Sequence, residues 1–292
     1  MSNRKNESKP LLSAKEEVSE LALRAYESAA HRLAFADTDF LLREELRPIR
    51  LQLELLKPEL LLKDQNIHST IVFFGSARLP EPEIAQQQLA AAQHALQANP
   101  DDKALQQAMR RAELTAENSS YRIQATQLAH MVASAYGTKP GIDFVVTTGG
   151  GPGIMEAANR GAFEAGAPSI SLNIVLPHEQ YPNDYVTPEL TFQFHYFAIR
   201  KMHFFIRARA MIAFPGGFGT FDELFDALTL IQTHKMERLP VLLFNEKFWR
   251  RIINFEGLVD EGVISPEDLE LFQYVETAEE AWQHILDFYQ IK

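Results

Sequence analysis

The chain has 292 residues, of which 46% are hydrophobic and 23% are charged, and its formal net charge is −11 at pH 7. This composition excludes a disordered chain and suffices for one elaborated α/β domain with an extension. The acidic charge argues against a general nucleic-acid surface, because such surfaces need clustered cations. With no cysteine, the chain has neither a disulfide nor a thiolate nucleophile nor a cysteine-based metal site.

The first residues are polar and lack the apolar region of a signal peptide, and no apolar run approaches the roughly 20 residues needed to cross a bilayer. We therefore expect a cytoplasmic protein without a membrane partner or a nucleic-acid partner. Residues 1–65 are predicted to form a polar tail and an N-terminal helical extension, in which Pro48 and Pro58 start or interrupt helices. Residues 66–292 form the second predicted domain.

Apolar runs alternate with helical patterns throughout the second domain. Strands are predicted at residues 70–74, 144–146, 169–175, 191–196, 210–214, 240–244 and 272–275, and helices at 248–255 and 278–289. An alanine- and glutamine-rich helical hairpin, broken near residues 99–102, is inserted at about 82–120. This order predicts an α/β fold, a Rossmann-like doubly wound parallel sheet covered on both faces, with its glycine turns at one carboxyl edge.

Glycine-rich turns follow three of these strands. The first strand is followed by Gly75 and Ser76, and then by Arg78, whose guanidinium suits a polar ligand. The second is followed by the sequence GGGPG at residues 149–153, and a later one by PGGFGTFDE at residues 215–223. Because all three turns lie at one edge of the sheet, they predict a single shared crevice.

The run at residues 215–223 combines a glycine turn with the start of a helix. Its glycines let the backbone approach a ligand, and the apolar spacing places the helix start near Thr220, whose free N–H groups favour a phosphate. An alternative is that Thr220 and Glu223 form a capping box. A carboxylate beside a phosphate costs energy, so Glu223 also indicates chemistry in which positive charge develops.

Other nucleotide-binding patterns fit this chain less well. The second run reads GGGPGI rather than G-x-G-x-x-G, and the strand at residues 169–175 has no acidic residue for a ribose hydroxyl of NAD. The run at 215–223 lacks the Lys-Ser/Thr of a P-loop. No set of His, Asp and Glu has metal-ligand spacing, so we expect no metal. A mononucleotide is the ligand that fits best.

Together, these motifs carry a family resemblance. PGGFGTFDE, preceded by Arg200-Lys201 and by GGGPGIMEAANRGA, resembles the family once labelled lysine decarboxylase-like, whose better-defined members are LOG-type cytokinin riboside 5'-monophosphate phosphoribohydrolases. The family includes bacterial enzymes that cleave AMP or other nucleoside monophosphates to base and ribose 5-phosphate. Its PGGxGTxxE signature is complete here, and the resemblance covers roughly residues 66–292 apart from the helical insertion.

The resemblance makes Arg200 and Glu223 the catalytic pair. The positions that it assigns to substrate or phosphate binding are Gly75, Ser76, Gly150, Gly151, Lys201, Gly216, Gly217, Gly219 and Thr220. Glu223 is expected to stabilise an oxocarbenium-like cation or to activate water, while Arg200 orients the phosphate or ribose. The alternative for Arg200 is a surface arginine on a basic face that also contains Lys201, Arg207 and Arg209.

The leading functional hypothesis is therefore a nucleoside 5'-monophosphate phosphoribohydrolase acting on AMP or a related nucleotide, cytokinin nucleotides included. The resemblance also implies a homodimer or higher homo-oligomer. We expect no cofactor, because no lysine has the context of a pyridoxal phosphate Schiff base. His178, Tyr181 and Tyr185 are candidates to stack on the base, or else pack locally. Two alternatives remain open: a non-catalytic nucleotide or molybdenum-cofactor carrier, and a structural protein assembled through its N-terminal helices.

Overall fold

The computed structural model describes residues 13–15, 18, 29–135, 144–176 and 181–291. The chain divides into two compact units, Met1–Glu54 and Leu55–Lys292. The described elements of the first unit are short. They are 3-10 turns at Ala29–His31, Ala34–Ala36 and Glu44–Leu46, and helix α1 at Thr38–Leu41.

Helix α2 spans Arg47–Asp64 and contains both prolines of this region. Pro48 is its second residue, a position where the missing N–H has no cost, as predicted. Pro58 instead lies inside the helix, so the prediction that it would start or interrupt a helix was wrong. The ring of Pro58 is buried, and this burial offsets part of the cost of the hydrogen bond that proline removes.

Seven parallel strands form one sheet in the second unit. They are β1 (Ser69–Phe74), β2 (Phe144–Thr148), β3 (Ser169–Ile174), β4 (Thr191–Phe194), β5 (Ala208–Ala213), β6 (Val241–Phe244) and β7 (Gln273–Val275). Their spatial order is β4-β3-β2-β1-β5-β6-β7, and every pairing is parallel. The predicted α/β, Rossmann-like doubly wound fold is confirmed. Because the strand order reverses at β1 and β5, the ligand crevice is expected at their carboxyl ends.

Alternate residues of the strands pack into two separate cores. In β1, Ile71 and Phe73 belong to one core while Val72 and Phe74 belong to the other, which follows from the two-residue repeat of a strand. Both faces of the sheet are therefore covered, and the buried strands are apolar along much of their length.

Eight further helices of the described chain connect or flank the strands. These are α3 (Pro82–Ala98), α4 (Lys103–Ala135), α5 (Ile154–Glu164), α6 (Phe197–Ile206), α7 (Phe218–Gln232), α8 (Glu246–Ile252), α9 (Phe255–Asp260) and α10 (Ala278–Phe288), in addition to the 3-10 turn at Pro188–Leu190 and another at Pro266–Leu271. The helix predicted at residues 248–255 is in fact two helices, because Asn254 caps a new helix by accepting a hydrogen bond from Gly257 N–H.

The inserted helices α3 and α4 pack against each other. The buried residues of α4 all lie at or beyond Ser119, and Ala85 is the buried residue of α3. The intervening part of the hairpin, residues 86–118, therefore contributes no fully buried side chain to the core. In the described part of the chain, no helix combines the length and apolar character needed to span a membrane.

Candidate functional site

A cavity of about 600 Å³ lies at the carboxyl ends of the strands, where the strand order reverses. This volume is in the range of small-molecule sites. The cavity brings together eight of the predicted site residues, namely Gly75, Ser76, Gly151, Arg200, Gly217, Gly219, Thr220 and Glu223. The other three, Gly150, Lys201 and Gly216, are not part of its lining.

Helix α7 begins at this cavity, two residues earlier than predicted. Its N-cap is Gly217 and its first residue is Phe218, and no side chain caps it. Thr220 N–H donates to Gly217 O at 3.0 Å, so Thr220 lies within the first turn and does not form the predicted alternative of a capping box with Glu223. The first amide groups of α7 thus lack intrahelical acceptors beside the cavity, and the positive end of the helix dipole lies there.

The glycines of this turn differ in what packing requires of them. A Cβ atom at Gly216 would overlap Thr220 Oγ1, so the fold itself needs glycine there. Within the described residues, a Cβ atom at Gly217 or Gly219 would meet no atom within 4 Å apart from those of its immediate surroundings in the chain. The absence of side chains at these two positions is therefore not explained by packing within the chain, and it leaves bare backbone available to a ligand.

Glu223 lies on α7 and is only 5% exposed. Within the described residues, its Oε2 atom is buried and has no hydrogen-bond partner. Burial raises the pKa of Glu223 to about 7, although the positive charges of Lys201 and Arg200 oppose this rise and the carboxylates of Asp222 and Asp226 add to it. A buried carboxyl group without a partner is costly, and one that titrates near neutral pH suits proton transfer or cation stabilisation.

Arg200 lies on helix α6. Its Nε donates to Leu172 O at 2.7 Å, and its guanidinium carbon lies 5.1 Å from the centre of the Phe204 ring. A Cβ atom at Gly149 would come within 2.5 Å of Arg200 Nη2, so this glycine leaves room for the guanidinium. Arg200 lines the cavity, and the alternative prediction of an arginine on an outer basic face does not describe this position.

Lys201 follows Arg200 in sequence but lies on another side of α6. Its Nζ forms ion pairs with Asp222 at 3.0 Å and with Asp226 at 3.3 Å, both on α7. Burial lowers the pKa of Lys201, but the hydrogen bond with Asp222 and the neighbouring carboxylates outweigh this and raise it. Lys201 thus ties together the two helices that carry Arg200 and Glu223.

The glycine turn after β2 is closed by its own contacts. Gly150 has φ +73°, and a Cβ atom there would overlap Ser171 Oγ. Gly150 N–H donates to Thr148 Oγ1 at 2.9 Å, and Gly150 O accepts from Asn183 N–H at 2.9 Å. Gly151 lines the cavity, whereas the N–H group of Gly150 already donates a hydrogen bond within the protein.

Several cavity residues carried no clear signal in the sequence. They are Phe74, Ala77, Met155, Asn173, Ile174, Leu176, Gln193, Phe197, Phe218, Phe221 and Asp222. Of the aromatic residues that were predicted to stack on a base, Tyr181 lines the cavity, while Tyr185 lies 5.7 Å from the Phe163 ring. His178 lies outside the described residues.

Comparisons with known proteins agree with the motifs. Residues 155–285 match the family model described as "Possible lysine decarboxylase". The chain is 29% identical over 154 residues to "Probable cytokinin riboside 5'-monophosphate phosphoribohydrolase LOGL5" of Oryza sativa subsp. japonica, covering 51% of this chain and 58% of that protein. It is 28% identical over 168 residues to "Cytokinin riboside 5'-monophosphate phosphoribohydrolase LOG3" of Arabidopsis thaliana, covering 56% and 74%. The match thus spans less than two thirds of the first relative.

Two solved structures are also similar. An X-ray structure of the structural-genomics target TM1055 has a TM-score of 0.46 at 20% identity and covers 75% of this chain and 99% of its own. The Moco carrier protein of Chlamydomonas reinhardtii has a TM-score of 0.40 at 18% identity and covers 75% and 98%. The complete PGGxGTxxE motif lies at the cavity, and the comparisons agree with it: part of the chain is similar to the family described as possible lysine decarboxylases and to LOG proteins.

Proposed function

We propose that the protein is a nucleoside 5'-monophosphate phosphoribohydrolase, which hydrolyses the N-glycosidic bond of AMP or a related nucleotide to free base and ribose 5-phosphate. The observation that carries this proposal is Glu223, a buried carboxyl group with an unpartnered oxygen in the same cavity as the open start of α7. The activity for which the LOG relatives are named belongs to the same reaction class.

The 5'-phosphate binds at the start of α7 in this proposal. Gly217 and Gly219 leave the backbone bare there, and Thr220 lines the same part of the cavity. Backbone N–H groups and the helix dipole together favour an anion at such a position. This orientation directs the ribose toward Glu223, which lies one turn further along α7.

The reaction requires breaking the bond between the ribose C1' and the base nitrogen. The base leaves with the bonding electron pair, and positive charge develops on the ribose in an oxocarbenium-like transition state. Ionised Glu223 stabilises this charge and accepts a proton from the water that attacks C1'. The departing base takes up a proton from solvent and Glu223 returns its proton to solvent, so water supplies the hydroxyl of ribose 5-phosphate and the base leaves neutral. Arg200, fixed by Leu172 O, orients the phosphate or the ribose.

The base occupies the remaining part of the cavity. Tyr181 and Phe197 offer aromatic faces, and Asn173 and Gln193 offer amide groups for the base edge. Stacking on aromatic rings accepts any base, so this arrangement is compatible with AMP as well as with cytokinin nucleotides.

Chromatography of AMP, GMP, CMP, UMP and IMP incubated with the pure protein tests this function. The wild-type protein is expected to release free base and ribose 5-phosphate from at least one of them, and Glu223→Gln is expected to abolish most of the release. Glu83→Gln, which removes an equal charge from an exposed position on α3, serves as the matched control and is expected to behave as wild type. Saturable AMP binding without base release would instead favour the nucleotide carrier.

The oligomeric state and the location of the protein are further parts of this proposal. The family resemblance implies a homodimer or higher homo-oligomer that acts in the cytoplasm without a cofactor. Light scattering of the purified chain measures its mass directly: a dimeric or larger mass supports the proposal, and a monomeric mass at micromolar concentration contradicts it.

A further inference from the structure

The charges around the cavity leave a phosphate dianion incompletely balanced. Among the described residues that line it, the cationic side chains are those of Arg78 and Arg200, whereas Asp222 and Glu223 are carboxyl groups. The whole chain carries a formal charge of −11. A dianion entering this site therefore needs local positive charge beyond the partial charge of about half a unit at the α7 start.

Arg200 already has contacts within the protein. It donates to Leu172 O at the β3 side, lies over the Phe204 ring and passes close to Gly149. These contacts hold its guanidinium beside the loop that follows β2, and its positive charge also acts on Glu223. Lys201 forms ion pairs with two carboxylates of α7, so its charge is already balanced within the protein.

Arg78 lies on the loop after β1, which is hydrogen-bonded to Pro215, at the turn before α7, and to Ile154, just after the glycine turn that follows β2. Its N–H donates to Ser76 Oγ at 3.1 Å, while Ser76 N–H donates to Pro215 O at 3.0 Å and Ser76 O accepts from Ile154 N–H at 3.1 Å. The backbone of Arg78 is thereby fixed with respect to the turn that leads into α7. Its side chain is exposed, lines the cavity and forms no ion pair with any carboxylate of the described chain.

We propose that Arg78 is a phosphate-binding residue, which closes on the 5'-phosphate from the β1 loop while the start of α7 binds it from the other side. A guanidinium presents parallel N–H donors that match two phosphate oxygens, which a helix N-terminus alone does not supply. An exposed arginine on an anchored backbone needs only a change of rotamer to reach its ligand. This inference rests on the proposed function for the identity of the ligand as a nucleoside monophosphate.

Calorimetric binding of ribose 5-phosphate to the full-length protein tests the role of Arg78 without requiring turnover. We expect Arg78→Gln to raise the Kd roughly 10- to 100-fold, as for the loss of a charge-assisted contact, and Arg78→Lys to have a smaller effect. The matched control is Arg110→Gln, which removes an equal charge from an exposed position on α4. In steady-state assays with AMP, Arg78→Gln is expected to raise KM while leaving kcat within about twofold.

The outcomes separate this inference from the proposed function. Equal Kd values for Arg78→Gln and Arg110→Gln would overturn the role of Arg78, even where the wild-type protein releases base from AMP. Weakened ribose 5-phosphate binding in Arg78→Gln alone would support it, even where no base is released and the proposed hydrolysis fails. An unchanged melting temperature in both variants shows that the comparison is made between folded proteins.

Discussion

Two glycine-rich turns meet at the same edge of the sheet and differ in what their glycines do. We call residues 149–153 the GGG turn and residues 215–219 the PGG turn. In the GGG turn, Gly150 and Gly153 have φ +73°, and a Cβ atom at either would overlap neighbouring protein atoms. In the PGG turn, Gly217 and Gly219 border open space. The first turn is therefore filled by the protein, and the second leaves room for a ligand.

The difference shows how one sequence signal can serve two structural purposes. Gly149 gives room to the Arg200 guanidinium, and Gly153 allows close approach of the Ser76 carbonyl. The GGG turn thus supports the cavity wall by packing. In the PGG turn, Gly216 packs against Thr220, whereas the space beside Gly217 and Gly219 is open. Glycines that packing does not require are the better indication of a binding site.

Glu223→Gln is expected to have the largest effect, because it removes the carboxylate behind the PGG turn without changing any glycine. Loss of one preorganised charged group typically lowers turnover by roughly 10²–10³-fold, or about 2.7–4 kcal/mol of barrier. Initial rates of base release at saturating AMP measure this effect. A variant with wild-type turnover would show that Glu223 takes no part in the chemistry.

Alanine at Gly153 and at Gly217 tests the contrast between the two turns directly. Gly153→Ala should lower the free energy of unfolding, since a strained φ costs about 1–3 kcal/mol and the overlap with Ser76 O adds about as much. Gly217→Ala should change stability by less than about 0.5 kcal/mol but weaken ribose 5-phosphate binding. Urea titrations and calorimetry measure the two quantities. Equal destabilisation by both substitutions would remove the distinction.

The sequence was sufficient to predict the fold, because runs of apolar residues mark buried strands and the glycine turns mark their carboxyl ends. Observed strand bounds differ from the predicted ones by one or two residues in most cases, as for β3 and β6. The shift of the α7 start from Thr220 to Phe218 was not predictable, since Thr220 and Glu223 have the spacing of a capping box. The extended backbone conformation of Gly217 determines where α7 begins, and no residue pattern in the sequence predicts that conformation.

The candidate site was predictable in its motifs and less so in its details. Arg200 and Lys201 are neighbours in sequence, and their separation into a cavity residue and an ion-pair residue depends on helix α6, which the sequence did not predict. Asn173 and Gln193 line the cavity because β3 and β4 end beside it. Such residues are brought to a site by long-range strand pairing, which local patterns do not show.

Asn183→Ala probes what keeps the GGG turn closed. The Asn183 Nδ2 atom donates to Gly150 O at 3.2 Å, to Gly151 O at 3.1 Å and to Asn159 Oδ1 at 3.0 Å. Gly150 O and Asn159 Oδ1 each keep a second donor, but Gly151 O loses the donor that Asn183 supplies, so we expect a loss of about 1–2 kcal/mol in the free energy of unfolding. Thermal unfolding monitored by circular dichroism measures it, with Asn99→Ala at an exposed position as the matched control. An unchanged melting temperature would contradict this role of Asn183.

The pH dependence of stability is expected to show the smallest effect, and it again involves Glu223. Because burial raises its pKa from 4.5 to about 7, this group favours folding when protonated, and its contribution is lost as the pH rises from 4.5 through 7. Glu223→Gln should therefore be more stable than wild type at pH 8, on the order of 1–2 kcal/mol, and the difference should shrink toward pH 5.

Urea unfolding of both proteins at several pH values measures this difference. A constant gap between wild type and Glu223→Gln across the range would contradict the raised pKa. If ionised Glu223 is the active form, kcat/KM for AMP should also fall below about pH 7, because protonation removes the carboxylate that stabilises positive charge.

The most direct test of the central claim is an NMR titration of isotope-labelled protein with ribose 5-phosphate, which reports each backbone amide separately. If the PGG turn binds the phosphate, the amide resonances of Gly217, Phe218 and Gly219 should show the largest shifts. The resonances of Gly150 and Gly153 should move little, because packing already fixes that turn. Large shifts at Gly150 and Gly153 with unchanged resonances at the start of α7 would contradict the account.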